Sequence, residues 1–331
     1  MQVKSFLRAA AAAFALAATL GPAVSQAAEK VRIGYWSSGV SLGYGSVLEA
    51  TDFLKQQGLD VQFVRFPDVN APLRALASNS IDLAFGAPAA GVFSSAAEGV
   101  PIKVFAATQP ADVQFVVPEG SPIKSLDQFR GKKIGMSPAG SSVAVIAGAV
   151  LAGNHGIGAN DFSLVGGNES RLAQFLAQKQ VDRAALRSVT VAQLKELKVT
   201  RLGSFAQEWQ RLTGASSVPY IGIGAVRAEF VAAHPEAVAR VIAGLRNTLA
   251  WGDTHRDEVV AILQKSANLP EEDARIYAAQ WNDMNRVAFE PADLQTLKRQ
   301  HEVFAAGGLI KGSLPADLFV TGPYEAAKKL K

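Results

Sequence analysis

After Ala28 the chain alternates short apolar runs with segments of helical period. Val31-Arg32-Ile33-Gly34-Tyr35 predicts a strand, Val47 to Gln57 a helix, Val61 to Phe66 a strand and Ala71 to Ser78 a helix. Ile81 to Phe85, Val92 to Glu98 and Ile102 to Ala106 continue as strand, helix and strand. The rhythm restarts with strands at Lys133 to Met136, Phe162 to Val165 and Asp182 to Leu186, separated by helices over Ser141 to Asn154 and Arg171 to Gln178. This alternation predicts an α/β protein of two lobes, each a mostly parallel sheet covered by helices.

From about Ala228 the pattern is helical only. Pro235, Pro270 and Pro291 sit where first helical turns would begin, and Glu271, Glu272 and Asp273 suit a helix N-terminus. Val238, Val241, Ile242, Leu245 and Leu249 recur at three- and four-residue steps, giving one apolar face that needs a partner to cover. Gly307-Gly308 would end the last long helix with a left-handed cap. Pro110 and Pro219 mark two extended segments, because proline biases its predecessor toward extended backbone. The chain is therefore expected to leave the first lobe near 110 and return near 219. That assigns residues 28–110 and 220–331 to lobe 1 and 111–219 to lobe 2, joined by two crossovers that act as a hinge.

Composition narrows the function classes. With 331 residues, 49% hydrophobic and 19% charged, the chain is of the folding kind. Its lack of cysteine excludes disulfides, cysteine-ligated zinc, iron–sulfur clusters, thiol nucleophiles and a lipoprotein anchor. Lys4 and Arg8 precede an apolar run from Ala9 to Leu20, a Gly21-Pro22 break and the small residues Ser25 and Ala27, the pattern of a signal peptide cleaved after Ala27. The run is shorter than the ~20 residues a bilayer requires. A free, exported, periplasmic protein is expected. Removing residues 1–27 lowers the formal charge from +4 to +2, and no basic tail suggests nucleic acid.

Searches for catalytic motifs come back empty. His155, His234, His255 and His301 are scattered without HxxH or HExxH spacing, so no metal or cofactor is expected. The sequence has no GxSxG elbow and no GxxxxGK[ST] phosphate loop, and Gly222-Ile223-Gly224 lacks the helix that would make it a dinucleotide fingerprint. What remains are small polar loops at the carboxyl ends of strands, where open α/β sheets bind ligands. These are Trp36 to Gly39, Gly86-Ala87-Pro88-Ala89, Ser137 to Ser142, Gly166 to Glu169 and Arg187-Ser188. In the Ser137 loop, Gly140 would allow close approach while Ser141 and Ser142 add hydroxyls to free helix amides, which suits a carboxylate or sulfonate. An ordinary N-cap serine is the plainer reading. Arg187 could clamp a carboxylate through two parallel hydrogen bonds or could be a solvated surface arginine. Trp36 could wall the ligand or lie under a helix, and Trp209, Trp251 and Trp281 read as packing residues.

The segment Lys103 to Thr108, then Phe115-Val116-Val117, Ser121 to Leu126 and Phe129 to Gly135 leading to Gly140-Ser141, resembles the solute-binding proteins of the nitrate/sulfonate/taurine class of ABC importers. Val31 to Tyr35, Ser80 to Ala84 and His234-Pro235-Glu236 are similar to the same family, so the resemblance covers nearly all of the mature chain. It implies a type II periplasmic binding protein fold, two α/β lobes joined by two crossovers that close on a small anion. It also implies a membrane permease as partner and no enzymatic activity; a monomer is the expected state. Carried over, the ligand-binding positions are Trp36, Ser37, Gly86, Ala87, Pro88, Ser137, Gly140, Ser141, Ser142 and Arg187. One departure is Val181 to Ser188, where many relatives carry an aromatic and acidic stretch. Thiamine-precursor synthases and tetrapyrrole-forming enzymes share the fold family, but the cysteines tied to their chemistry are missing here. An exported enzyme on the same scaffold, or a sensor subunit for a membrane receptor, are the alternatives.

Overall fold

The structure, a computed structural model, describes residues 28–194 and 197–330; the expected leader at 1–27 lies outside the described residues. The chain first lays down β1 (Glu29–Trp36), α1 (Gly39–Ala50), α2 (Phe53–Gln56), β2 (Leu59–Phe66), α3 (Ala71–Ala77), β3 (Leu83–Pro88), α4 (Ala89–Ala97) and β4 (Ile102–Pro110). Next come β5 (Val113–Pro118), β6 (Lys133–Met136), α5 (Ser142–His155), β7 (Ser163–Gly166), α6 (Glu169–Ala177), β8 (Arg183–Arg187), α7 (Ser188–Gln193), β9 (Val199–Ser204) and α8 (Phe205–Thr213). The remainder is β10 (Tyr220–Arg227), α9 (Ala228–Ala233), α10 (Pro235–Thr254), α11 (Arg256–Ala267), α12 (Glu271–Ala279), α13 (Trp281–Met284), α14 (Pro291–Ala306) and α15 (Gly322–Ala327).

Two five-stranded sheets result, ordered β2-β1-β3-β10-β4 and β7-β6-β8-β5-β9. Neither is mostly parallel in the simple sense expected from the βα rhythm. In the first sheet β10 runs antiparallel between β3 and β4, and in the second β5 runs antiparallel between β8 and β9. The reversed strands are the two that arrive from the opposite sheet. A crossover enters its new sheet at the edge facing the other lobe, so it must run against strands that end there. The crossovers lie side by side, with the Ala111 N–H donating to the Pro219 carbonyl at 2.8 Å.

α14 braces this junction. The Tyr220 N–H donates to Gln300 Oε1 at 2.9 Å and Gln300 Nε2 donates back to the Tyr220 carbonyl at 2.7 Å, which satisfies the buried backbone of the returning crossover. The same helix touches both halves of the molecule, through His301 against Phe93 of α4 and Phe304 against Trp209 of α8. One continuous apolar core runs through both sheets, and a smaller cluster of Val116, Leu172, Leu176, Val181, Ala184, Leu186 and Val191 covers the other face of the second sheet. β8 therefore alternates between two buried faces, which explains its unbroken apolar run around Ala184-Ala185-Leu186.

The helix expected over Val47 to Gln57 begins instead at Gly39 and breaks at Thr51. Gly43 and Gly45 disguised it, because glycine reads as a helix breaker. Here they make room: a Cβ on Gly43 would collide with the Tyr277 ring, and one on Gly45 with the Tyr35 ring. Gly43→Ala is expected to cost about 1–3 kcal/mol by overpacking and to displace the hydrogen bond from the Tyr277 hydroxyl to the Val40 carbonyl. Gly322, the first residue of α15 with open space around it, serves as control. Gly322→Ala should leave the melting temperature within about a degree, because helix-compatible surface glycines tolerate alanine. Comparable melting of both variants would contradict the packing role.

Candidate ligand-binding site

The strand ends β1, β3 and β4 of the first sheet and β6 and β8 of the second meet across one small cavity. It is lined by Trp36, Ser41, Val69, Gly86, Pro88, Gln109 and Ile221 on one side and Ser137, Ser141, Ser142, Val143 and Arg187 on the other. Ser41 lies in the first turn of α1, while Pro88 and Ser141 are the N-cap residues of α4 and α5. Three helix N-termini thus bring partial positive charge to one space. The water-sized space inside is about 10 Å³, room for roughly one water molecule. The two sides touch directly across it, through the Ala90 N–H and the Ser142 hydroxyl.

Each expected residue can now be placed. Trp36 is 3% exposed, its Nε1 donating to the Pro67 carbonyl at 3.3 Å, so its ring is both buried and part of the cavity wall. Ser37 does not line the cavity; its backbone N–H and its hydroxyl both donate to the Phe66 carbonyl. Gly86-Ala87-Pro88 is not a loop. It is the end of β3, held by antiparallel pairing of Ala87 with Ile223 and Pro88 with Gly222, and Ala87 points away from the cavity lining. Gly86 has φ +63°, and a Cβ there would sit 2.8 Å from Ser41 Oγ and 2.9 Å from Gln109 Nε2. Only glycine fits that floor without strain.

Ser137 lines the cavity and is 3% exposed. Gly140 does not line it, and approaches Asn70, whose Nδ2 donates to the Ala139 carbonyl at 3.4 Å. The Ser141 hydroxyl is the N-cap acceptor for the Ala144 N–H at 3.2 Å, the plainer of its two readings, although the residue also faces the cavity. The Ser142 hydroxyl accepts from the Ala90 N–H at 3.1 Å, a bond that ties the start of α4 to the start of α5 across the cleft. A second tie joins Gln193 Nε2 to the Asp273 carbonyl at 3.1 Å, between α7 and α12.

Arg187 is the last residue of β8 and is 6% exposed, so it is no surface arginine. Its Nε lies 3.6 Å from Glu169 Oε1, beyond hydrogen-bonding distance, and that nitrogen has no hydrogen-bond partner. Burial lowers the guanidinium from its ordinary value, against the opposing pull of Glu169. Burial likewise pushes the Glu169 carboxyl up, only partly offset by Arg187 and the Thr190 hydroxyl. A buried cation with an unbonded donor beside a closed cavity is costly unless something else completes its contacts.

Ser41, Val69, Gln109, Val143 and Ile221 were missed. Gln109 carried a signal: it is a long polar side chain near the end of a strand whose middle, Val104 to Ala107, is apolar, and its Nε2 donates to Ser41 Oγ at 3.0 Å in the cleft. Two larger grooves, about 590 and 890 Å³, flank the crossovers and α14. The first sets Asp112, Asp283 and Asp293 against Arg286 alone, a charge balance that repels anions. Among the described residues no three His, Cys, Asp or Glu side chains group as metal ligands, and no helix is long and apolar enough to cross a membrane.

Two α/β sheets bridged by paired crossovers, with strand ends and helix N-termini meeting in the cleft, define the type II periplasmic binding protein fold. A family model described as NMT1/THI5 like matches residues 47–258, and the chain belongs to that family. Among solved structures it is similar to the alkanesulfonate-binding protein SsuA from Xanthomonas axonopodis pv. citri bound to MOPS, at 21% identity over 88% of this chain and 98% of that one, with TM-score 0.73. The periplasmic aliphatic sulphonate binding protein SsuA from Escherichia coli matches at 19% identity over 88% and 92%, with TM-score 0.70. The desulfurization enzyme DSZB shares the fold at 12% identity over 92% and 100%, with TM-score 0.64. A comparison with curated proteins gives no match.

Proposed function

We propose that the chain is the extracytoplasmic substrate-binding component of an ABC importer, capturing a small anionic solute, a sulfonate or carboxylate, between its lobes. The single observation that carries this reading is Arg187: a buried guanidinium with an unbonded Nε, facing the same cavity as the N-termini of α1, α4 and α5. Fixed amides and one arginine recognise an acid group without needing a titratable catalyst. The resemblance to the two SsuA proteins, whose names state sulfonate binding, supports the ligand class.

In this reading lobe 1 is residues 28–110 and 220–331, lobe 2 is 111–219, and the lobes part by bending at the two crossovers. Solute enters the open form, and contacts available only in the closed form draw the lobes together. The Ser142 to Ala90 bond is the kind of contact that closure would complete. The mature chain works as a periplasmic monomer after removal of residues 1–27, and passes its solute to a membrane permease. A thermal-shift panel of alkanesulfonates, aliphatic and aromatic carboxylates, nitrate and bicarbonate tests this. A true ligand at 100 times its Kd stabilises the chain by about 2.7 kcal/mol. A melting point unmoved by every anion contradicts the reading.

A further inference from the structure

Resting on the reading of the cleft as an anion site, we propose that anion capture takes up one proton from solvent, which settles on the Glu169 carboxyl. Glu169 opens α6 and is 6% exposed, against Arg187 from β8, Thr190 from α7 and the backbone of Gly39 at the start of α1. Arg187 is also within electrostatic reach of Asp112, from the crossover segment before β5, and of Tyr277 from α12. Around this arginine there are thus two carboxyls and one phenol; Arg187 is the cation they share, and Asp112 has Arg201 as a second.

An arriving anion would make a third negative charge beside Arg187, in a cleft that must widen beyond the roughly 10 Å³ present without it. Burying uncompensated charge is costly, and a buried carboxyl responds by taking a proton. Neutral Glu169 leaves Arg187 free to turn its unbonded Nε to the ligand, so the cleft keeps one cation for one anion. Of the two acids Glu169 is the better acceptor. Asp112 accepts a 2.5 Å hydrogen bond from the Ser188 hydroxyl, which stabilises its ionised form, and it borders the open groove by the crossovers. Burial pushes both carboxyls upward in the empty chain, but Glu169 is the more enclosed of the two, and its bond from the Arg187 N–H is long at 3.4 Å.

Calorimetry of the mature chain with ethanesulfonate at pH 7.5, in phosphate and in Tris, reads the proton count directly, because the two buffers differ widely in protonation enthalpy. About one proton taken up per anion is expected, with affinity rising about tenfold per pH unit of acidification until Glu169 of the free chain begins to protonate. In Glu169→Gln the uptake should vanish and the affinity become independent of pH. The two-buffer result on the unaltered chain stands even if that variant folds poorly. Binding with no proton uptake overturns the proposal while leaving the anion site intact. Uptake that persists in Glu169→Gln and disappears in Asp112→Asn overturns the assignment to Glu169. Tighter binding of zwitterionic 2-aminoethanesulfonate without proton exchange also overturns it, since Glu169 would then be holding the ammonium. No heat with ethanesulfonate, acetate or nitrate removes the anion site itself, and this inference with it.

Discussion

Arg187→Ala is expected to remove about 2–5 kcal/mol of binding free energy for an acidic ligand, a loss of roughly thirtyfold to several thousandfold. The size follows from burial. Arg187 is enclosed, so its contact with an anion is not diluted by water as a surface pair would be. The variant should still fold, because Glu169, left without its counter-charge, can protonate in place. Arg187→Lys keeps the charge but loses the planar fork, and should fall between wild type and alanine. Calorimetric titration with the best anion from the panel checks the series. Equal affinities in all three chains would take Arg187 out of the site.

The largest expected effect on stability lies at the opposite end of the first sheet. Asp82 Oδ1 accepts from Arg32 at 2.7 Å and from Arg227 at 2.6 Å, while Oδ2 accepts from the Arg32 N–H and Nε. This carboxylate joins β1 to β10 just before β3 begins. Asp82→Ala removes the nearest partner of Arg227, whose side chain is 15% exposed and keeps only longer contacts with Glu229 at 3.7 Å and Asn79 at 3.4 Å, whereas the more exposed Arg32 can turn to solvent. Breaking a buried pair costs about 3–5 kcal/mol; the exposure of Arg32 puts the loss near the low end, roughly 5 °C in melting temperature for a chain of this length. Burial would raise the Asp82 carboxyl, but the hydrogen bonds from Arg32 and Arg227 outweigh it and hold it below its usual value. A depressed carboxyl gives its stabilisation in full above the unfolded value near 3.9 and loses it as pH falls through the folded one. The gap between wild type and Asp82→Ala should therefore be constant from pH 5 to 7 and shrink below about pH 4. A gap that widens in acid would contradict the ion-pair origin.

The two-lobed α/β plan was legible because burial imposes the period of two or 3.6 on every core element, and β1, β2, β6 and β8 were readable to within two residues at each end. The reversed strands β5 and β10 were not, since strand direction depends on which edge the chain enters, a global property that no local pattern encodes. α1 was half hidden by Gly43 and Gly45, chosen for close approach to Tyr277 and Tyr35 instead of for helix propensity. β9, α7 and α8 passed unmarked, and the segment Val199–Ser204 is only partly buried, with a weak apolar signature.

Much of the cleft was visible in the strand-end loops, because topology alone brings those ends together. What each side chain does there was not visible. Ser141 and Ser142 look alike in sequence, yet one caps its own helix and the other accepts a bond from across the cleft. Ser37 sits beside Trp36 but turns both of its donors to Phe66. Glu169 was noticed only as a loop acid; its pairing with Arg187 depends on β8 ending at the corner where α6 begins.

Capture without turnover is the central claim, and native mass spectrometry of the chain saturated with its tightest anion tests it most directly. The predicted result is a mass increase of one intact ligand per chain, with the same compound recovered unchanged after denaturation and prolonged incubation. Recovery of a chemically altered product, or no adduct at any ligand concentration, would contradict it.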